Sequence, residues 1–262
     1  MNTHPIGVFD SGVGGTSIWK EIQELLPNEH CIYLADSKHA PYGEKPADEI
    51  LQLAIKNTEY LLDKDCKLIV VACNTATTNA IDYLRKNYPV PFIGIEPAIK
   101  PAALNTRSKI VGILATKGTL TSSLFYSTIQ NHATNITIIE QQGKGLVELI
   151  EKGDLHSAEL LALLEAYINP MLDKGIDYLV LGCTHYPYLI PLLKEILPEG
   201  IKIIDSGEAV AKQTKAVLET GKLLNTLENT VSHQFFTNTD VKLLERFITD
   251  VAVHKEVQFL DF

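Results

Sequence analysis

Two cysteines in this chain stand where a thiol can do chemistry. Ile69-Val70-Val71-Ala72-Cys73-Asn74-Thr75 and Leu179-Val180-Leu181-Gly182-Cys183-Thr184-His185 are each a short apolar run ending in cysteine, followed by small polar residues and a helical pattern. In an open α/β sheet this order puts the sulfur at the carboxyl end of a strand, where ligands bind. It also sets the sulfur beside a helix N-terminus, whose field favours thiolate over thiol. A free thiol, with a pKa of about 8.5, needs such help to act as a base near neutrality. Three chemistries compete. Zinc ligation would draw on Cys183 and His185 with Cys73 and Asp10, but a Cys-x-His pair is more closely spaced than ordinary zinc ligands. Thiol redox chemistry lacks a Cys-x-x-Cys pair. Proton transfer at carbon, with one thiol on each face, suits two equivalent groups: one removes a proton, the other delivers one opposite, and a stereocentre inverts. No metal and no cofactor is expected. Cys31 and Cys66 lack this polar context and are expected in the core.

The elements that must carry these groups are legible as alternating strands and helices. Ile6 to Asp10 reads as a strand ending in a carboxylate, followed by the glycine-rich Ser11-Gly12-Val13-Gly14-Gly15 and a helix to about Leu26. The turn suits an anion or simply a tight connection; it matches neither the dinucleotide fingerprint nor a Gly-Lys-Ser/Thr phosphate loop. Cys31 to Ala35 is a second strand, and the loop Asp36 to Gly43 offers Tyr42 as a hydroxyl handle before a helix from about Pro46 to Lys64. Taken alone, Tyr42 is better read as packing. Lys67 to Ala72 leads to Cys73, a helix follows to about Asn87, and Val90 to Ile95 is a further strand. Prolines 97 and 101 suggest a helix start or a crossover.

The plan then repeats. Ile110 to Ala115, Asn135 to Ile139, Tyr178 to Leu181 and Ile201 to Asp205 read as strands, with helical patterns at Gly145–Glu151, His156–Ile168 and Pro187–Leu197 between them. A duplicated lobe is the economical account. The predicted fold is α/β: two pseudo-symmetric lobes, each an open, mostly parallel sheet flanked by helices, with the ligand between them. The tail is read as a helix to about Thr220, a strand at Val231–Phe236, a helix from Asp240 and a strand near Val253–Phe259. It is expected to return to the first lobe, giving 1–96 plus 206–262 as one lobe and 97–205 as the other.

Composition narrows the class further. The chain has 262 residues, 45% hydrophobic and 21% charged, with a net charge of −9. The acidic balance argues against a nucleic-acid partner. No apolar run reaches the length of a membrane span, the first residues lack a signal pattern, and four unclustered cysteines suit a reducing compartment. A cytoplasmic protein, by default a homodimer, is expected.

At these residues the chain resembles a known family. Phe9-Asp10-Ser11-Gly12-Val13-Gly14-Gly15, Pro41-Tyr42-Gly43, Ala72-Cys73-Asn74-Thr75-Ala76-Thr77, Pro97-Ala98-Ile99-Lys100-Pro101-Ala102 and Gly182-Cys183-Thr184-His185-Tyr186-Pro187 together are similar to the glutamate racemases. These are cofactor-independent enzymes that interconvert L- and D-glutamate and supply the D-form for peptidoglycan. The resemblance implies that Cys73 deprotonates the D-enantiomer and Cys183 the L-enantiomer, with Asp10 assisting the first and His185 the second. It further implies substrate contacts from Asp10, Ser11, Tyr42, Gly43, Asn74, Thr75 and Thr184, with Thr116 and Thr119 adding contacts from the second lobe. The family places a glutamate near His185, and Glu148 and Glu151 both fit. An aspartate racemase, a binding protein that keeps only the cleft, an inhibitor of other enzymes and a phosphate-binding enzyme are the rivals. A pure binder has no need of both thiols and their partners.

Overall fold

The structure is a computed structural model that describes residues 2–133, 135–227 and 231–262. Its first run is β1 (Ile6–Asp10), α1 (Thr16–Leu25), β2 (Cys31–Ala35), α2 (Ala47–Asp63), β3 (Leu68–Val71), α3 (Asn74–Asn87) and β4 (Phe92–Gly94). The second run is α4 (Ile99–Asn105), β5 (Ile110–Ala115), α5 (Lys117–Leu120), α6 (Ser123–His132), β6 (Thr137–Gln142), α7 (Leu146–Glu151), α8 (Ala158–Leu172), β7 (Tyr178–Gly182), α9 (Ile190–Ile196) and β8 (Lys202–Ile204). The chain ends with α10 (Gly207–Thr220), β9 (His233–Thr237), α11 (Val241–Ile248) and β10 (Lys255–Phe259).

The strands form two sheets, ordered β10-β9-β2-β1-β3-β4 and β6-β5-β7-β8, and every pairing in both is parallel. The orders β2-β1-β3-β4 and β6-β5-β7-β8 are the same topology written twice. In each, the chain reverses its direction of winding beside the first strand, and ligands bind at such switch points. Cys73 follows β3 and Cys183 follows β7, so the two sulfurs hold corresponding places. Strands β1, β2, β3 and β7 are buried along their whole length, as parallel strands covered by helices on both faces must be. Their near-unbroken apolar sequences follow from that.

The tail pairs β9 with β2 in parallel, Cys31 opposite His233 and Ala35 opposite Thr237. It is anchored by Phe235, whose ring meets Trp19 edge-on at 4.8 Å. The helix read as ending at Ile168 runs on through Pro170 to Leu172, because buried Met171 docks its last turn and a proline there costs only a terminal hydrogen bond. The segment read as one helix from Pro187 begins as a tight turn over Tyr186–Leu189 before α9, consistent with two prolines that donate no N–H.

Candidate active site

Cys73 is the N-cap residue of α3, and its sulfur accepts the Ala76 N–H at 3.4 Å. Ser11, from the glycine-rich turn after β1, lies 3.8 Å from the same sulfur. Burial, then the negative charge of Asp10, pushes the Cys73 thiol well above its ordinary value, while the Ala76 N–H and Ser11 pull the other way. Asp10 makes no hydrogen bond to Cys73. Its Oδ2 accepts the N–H groups of Gly15 at 2.9 Å and Gly12 at 3.3 Å, and its Oδ1 accepts the Thr184 hydroxyl at 3.2 Å. One carboxylate therefore fixes the turn and ties the first lobe to the second. Its burial pushes the Asp10 pKa up to about 6.

Cys183 is differently equipped. Its sulfur lies 3.7 Å from His185 Nδ1, and His185 Nε2 meets Glu151 Oε1 at 2.5 Å. Burial opposes charging of this imidazole, but Cys183 and Glu151 outweigh it and hold His185 well above the usual range. Glu151 is thus the glutamate beside His185. Glu148, one turn earlier on α7, lines a separate opening with Lys144. Glu151 Oε1 also accepts the Val13 N–H at 2.7 Å, and its Oε2 accepts the Ser37 hydroxyl at 2.8 Å. A Cβ at Gly12 would stand 1.9 Å from Glu151 Oε1, and one at Gly14 would stand 2.2 Å from His185 Nδ1. Those two glycines are required by this close approach of the lobes.

Cys73 and Cys183 both line one cavity of about 10 Å³, together with Ser11, Tyr42, Gly43, Asn74, Thr75, Thr116, Thr184 and His185. Asp10 and Thr119 stand one layer behind, Thr119 bonded to Thr116 at 3.1 Å. Asn74 is buried, and neither its Oδ1 nor its Nδ2 has a hydrogen-bond partner among the described residues. Such orphaned amide atoms are costly unless a ligand uses them. Thr75 and Thr116 hydroxyls meet across the lobes at 2.8 Å. Tyr42 contributes to the wall, but its hydroxyl points away and donates to Asp36 at 2.5 Å, so it offers the cavity no free handle. Val147 also lines the cavity, and no pattern in the sequence singles it out from the other apolar residues of α7.

A space this size holds about one water. Two cysteines at matching switch points of a duplicated strand order, both lining one small cavity, define a two-lobed α/β protein with a candidate small-molecule site. The chain belongs to the Asp/Glu/hydantoin racemase family, whose profile matches residues 6–214. It is 46% identical to glutamate racemase of Ectopseudomonas mendocina over 92% of each chain, and 47% identical to that of Pseudomonas putida strain F1 over 96% of this chain and 94% of the relative. Among solved structures it superimposes on glutamate racemase RacE1 of Bacillus anthracis with a TM-score of 0.88 at 29% identity, over 100% of this chain and 99% of that one. Escherichia coli glutamate racemase, solved with L-glutamate and the activator UDP-MurNAc-Ala, gives 0.87 at 34% identity over 98% of both chains.

Proposed function

We propose that this chain is an isomerase that interconverts L- and D-glutamate by a two-base mechanism needing no cofactor, and that it supplies D-glutamate for peptidoglycan synthesis. The observation that carries the reading is one cavity lined by a cysteine from beyond a strand of each sheet. Cys183 takes the α-proton of L-glutamate and Cys73 gives one to the opposite face; D-glutamate reacts in the reverse sense. His185 and Glu151 serve Cys183, while Ser11 and Asp10 serve Cys73. Asn74, Thr75, Thr116 and Thr184, with the glycine-rich turn and the Tyr42-Gly43 segment, hold the ammonium and carboxylates.

The α-hydrogen of an amino acid is a very weak acid, so electrostatics must supply the stabilisation. The ammonium stays protonated beside the carbanion, and N–H and hydroxyl donors meet the charge that grows on the carboxylate. Closure of the lobes excludes the water that would screen both. The ammonium also provides the cation that the Cys73 half-site lacks, lying as it would between a thiol and the Asp10 carboxylate.

The proposed lobes are 1–96 plus 206–262 and 97–205, the proposed assembly is a homodimer, and the proposed compartment is the cytoplasm. No helix among the described residues is long and apolar enough to cross a membrane. The test is circular dichroism of L-glutamate with the purified protein in D2O, with and without chelator. Racemisation with deuterium entering the α-position is expected under both conditions. Retention of optical activity, or racemisation of aspartate in preference to glutamate, would sink the assignment.

A further inference from the structure

We propose that Asp36 is a positioning residue for this reaction, holding the 36–44 segment against both thiol half-sites, with Asn238 of the C-terminal tail as its partner; the proposal rests on the function assigned above. Pairing of β9 with β2 sets Ala35 opposite Thr237, which brings the next residues, Asp36 and Asn238, side by side. Asp36 is fully buried. Its Oδ1 accepts from Asn238 Nδ2 at 2.5 Å and from His39 Nδ1 at 2.6 Å. Its Oδ2 accepts the Tyr42 hydroxyl at 2.5 Å, and that hydroxyl in turn accepts from Asn57 Nδ2 at 3.3 Å. A buried carboxylate is tolerated only when its lone pairs are met in this way.

The hub has two arms. Through Tyr42 it fixes the Tyr42-Gly43 wall of the cavity. That wall is packed so closely that a Cβ at Gly43 would lie 2.8 Å from Thr116 Cβ. Through the adjacent Ser37, which donates to Glu151 Oε2 at 2.8 Å, it reaches the carboxylate that orients His185 and hence Cys183. Asp36 itself does not line the cavity. Its action is therefore on geometry, and small errors of geometry are expensive in catalysis. The same pairing gives the tail a task in the reaction: Asn238 also accepts the Lys38 N–H at 2.8 Å, so it holds both the hub and the turn that follows it.

Asp36→Asn keeps the shape and turns one acceptor oxygen into a donor. In an otherwise active enzyme it is expected to lower kcat/KM about 30-fold per folded molecule, raising KM through the Tyr42 arm and lowering kcat through the Ser37 arm. Adding Asn238→Asp exchanges the two groups across the register and should recover about tenfold of that loss. Adding Ser37→Ala to Asp36→Asn should cost less than Ser37→Ala costs alone, because both act on one contact. Unchanged kinetics in Asp36→Asn overturns the proposal. So does a loss that follows the folded fraction alone, or an exchange variant that regains thermal stability without activity. Should Asp36→Asn fail to fold, Asn238→Ala removes one donor and leaves the carboxylate, and a roughly threefold fall in kcat/KM at unchanged secondary structure is then required. A wild-type protein that does not racemise glutamate would instead overturn the assigned reaction, and this proposal with it.

Discussion

Cys73 and Cys183 occupy corresponding points of the two sheets, yet their electrostatic surroundings are opposite. The Cys73 sulfur has a helix N–H and a serine hydroxyl against a buried carboxylate, and burial pushes its thiol up. The Cys183 sulfur has an imidazole whose pKa is held well above its usual range, against burial, by Cys183 itself and by Glu151. Duplication of the strand order placed two thiols symmetrically; the side chains behind them did not stay symmetrical. The difference teaches that strand order sets where the sulfurs sit while their charged neighbours are set separately; under the proposed mechanism, the substrate's ammonium is the cation that the Cys73 side lacks. Cys73 thus has its thiol pushed up by burial and by Asp10, and Cys183 sits next to an imidazole whose pKa is raised.

The largest effect expected is from Cys73→Ala or Cys183→Ala, each of which should lower racemisation by about 10³-fold or more, measured by circular dichroism. Substantial activity in either variant would mean that the two sites are not a pair. Next, Glu151→Gln should cost about 10²-fold in kcat/KM. Because enantiomers have equal free energies in solution, that loss must be the same in both directions. The asymmetry between the half-sites appears instead in the primary deuterium isotope effect, which should rise for α-deuterated L-glutamate and not for the D-form. An equal rise for both would erase the distinction drawn here.

The Asp10 carboxyl offers a smaller, pH-dependent test. Its folded pKa is raised from 3.8 to about 6, so the folded state binds this proton more tightly than the unfolded one. The contribution to stability is therefore present below about pH 4 and is lost as pH rises through about 6. At about 1.4 kcal/mol per pKa unit this amounts to about 3 kcal/mol. Asp10→Asn should flatten that segment of the stability profile in denaturant titrations between pH 4.5 and 8, and should stabilise the protein most at the alkaline end. No change in the profile would place the proton elsewhere. Smallest of all, Thr75→Val breaks the interlobe contact with Thr116. It should cost about 1 kcal/mol, read as a few-fold rise in KM with kcat nearly kept.

Much of this site is legible in the sequence because its signals are local. A strand that ends in cysteine and opens a helix needs only a few consecutive residues, as at Val71-Ala72-Cys73-Asn74, and the glycine-rich turn after Asp10 is equally short-range. Where long-range contacts decide, the same residues are ambiguous. Glu148 and Glu151 are a helical turn apart, and only the docking of α7 against the turn at Val13 selects the latter. Tyr42 taken alone reads as packing and by the resemblance as a substrate contact, and only the fold shows its hydroxyl donating to the buried Asp36.

Taken by itself, the sequence determined the alternation of elements, the duplicated plan and the placement of both thiols at strand ends, since hydrophobic period and turn chemistry are written residue by residue. Tertiary structure alone decided that the two cysteines line one small cavity, that Asp10 bonds Thr184 rather than Cys73, and that a strand more than two hundred residues downstream delivers Asn238 to Asp36. Those outcomes depend on how two sheets and a returning tail pack. Packing is fixed by the summed burial of many side chains, and no single motif carries it.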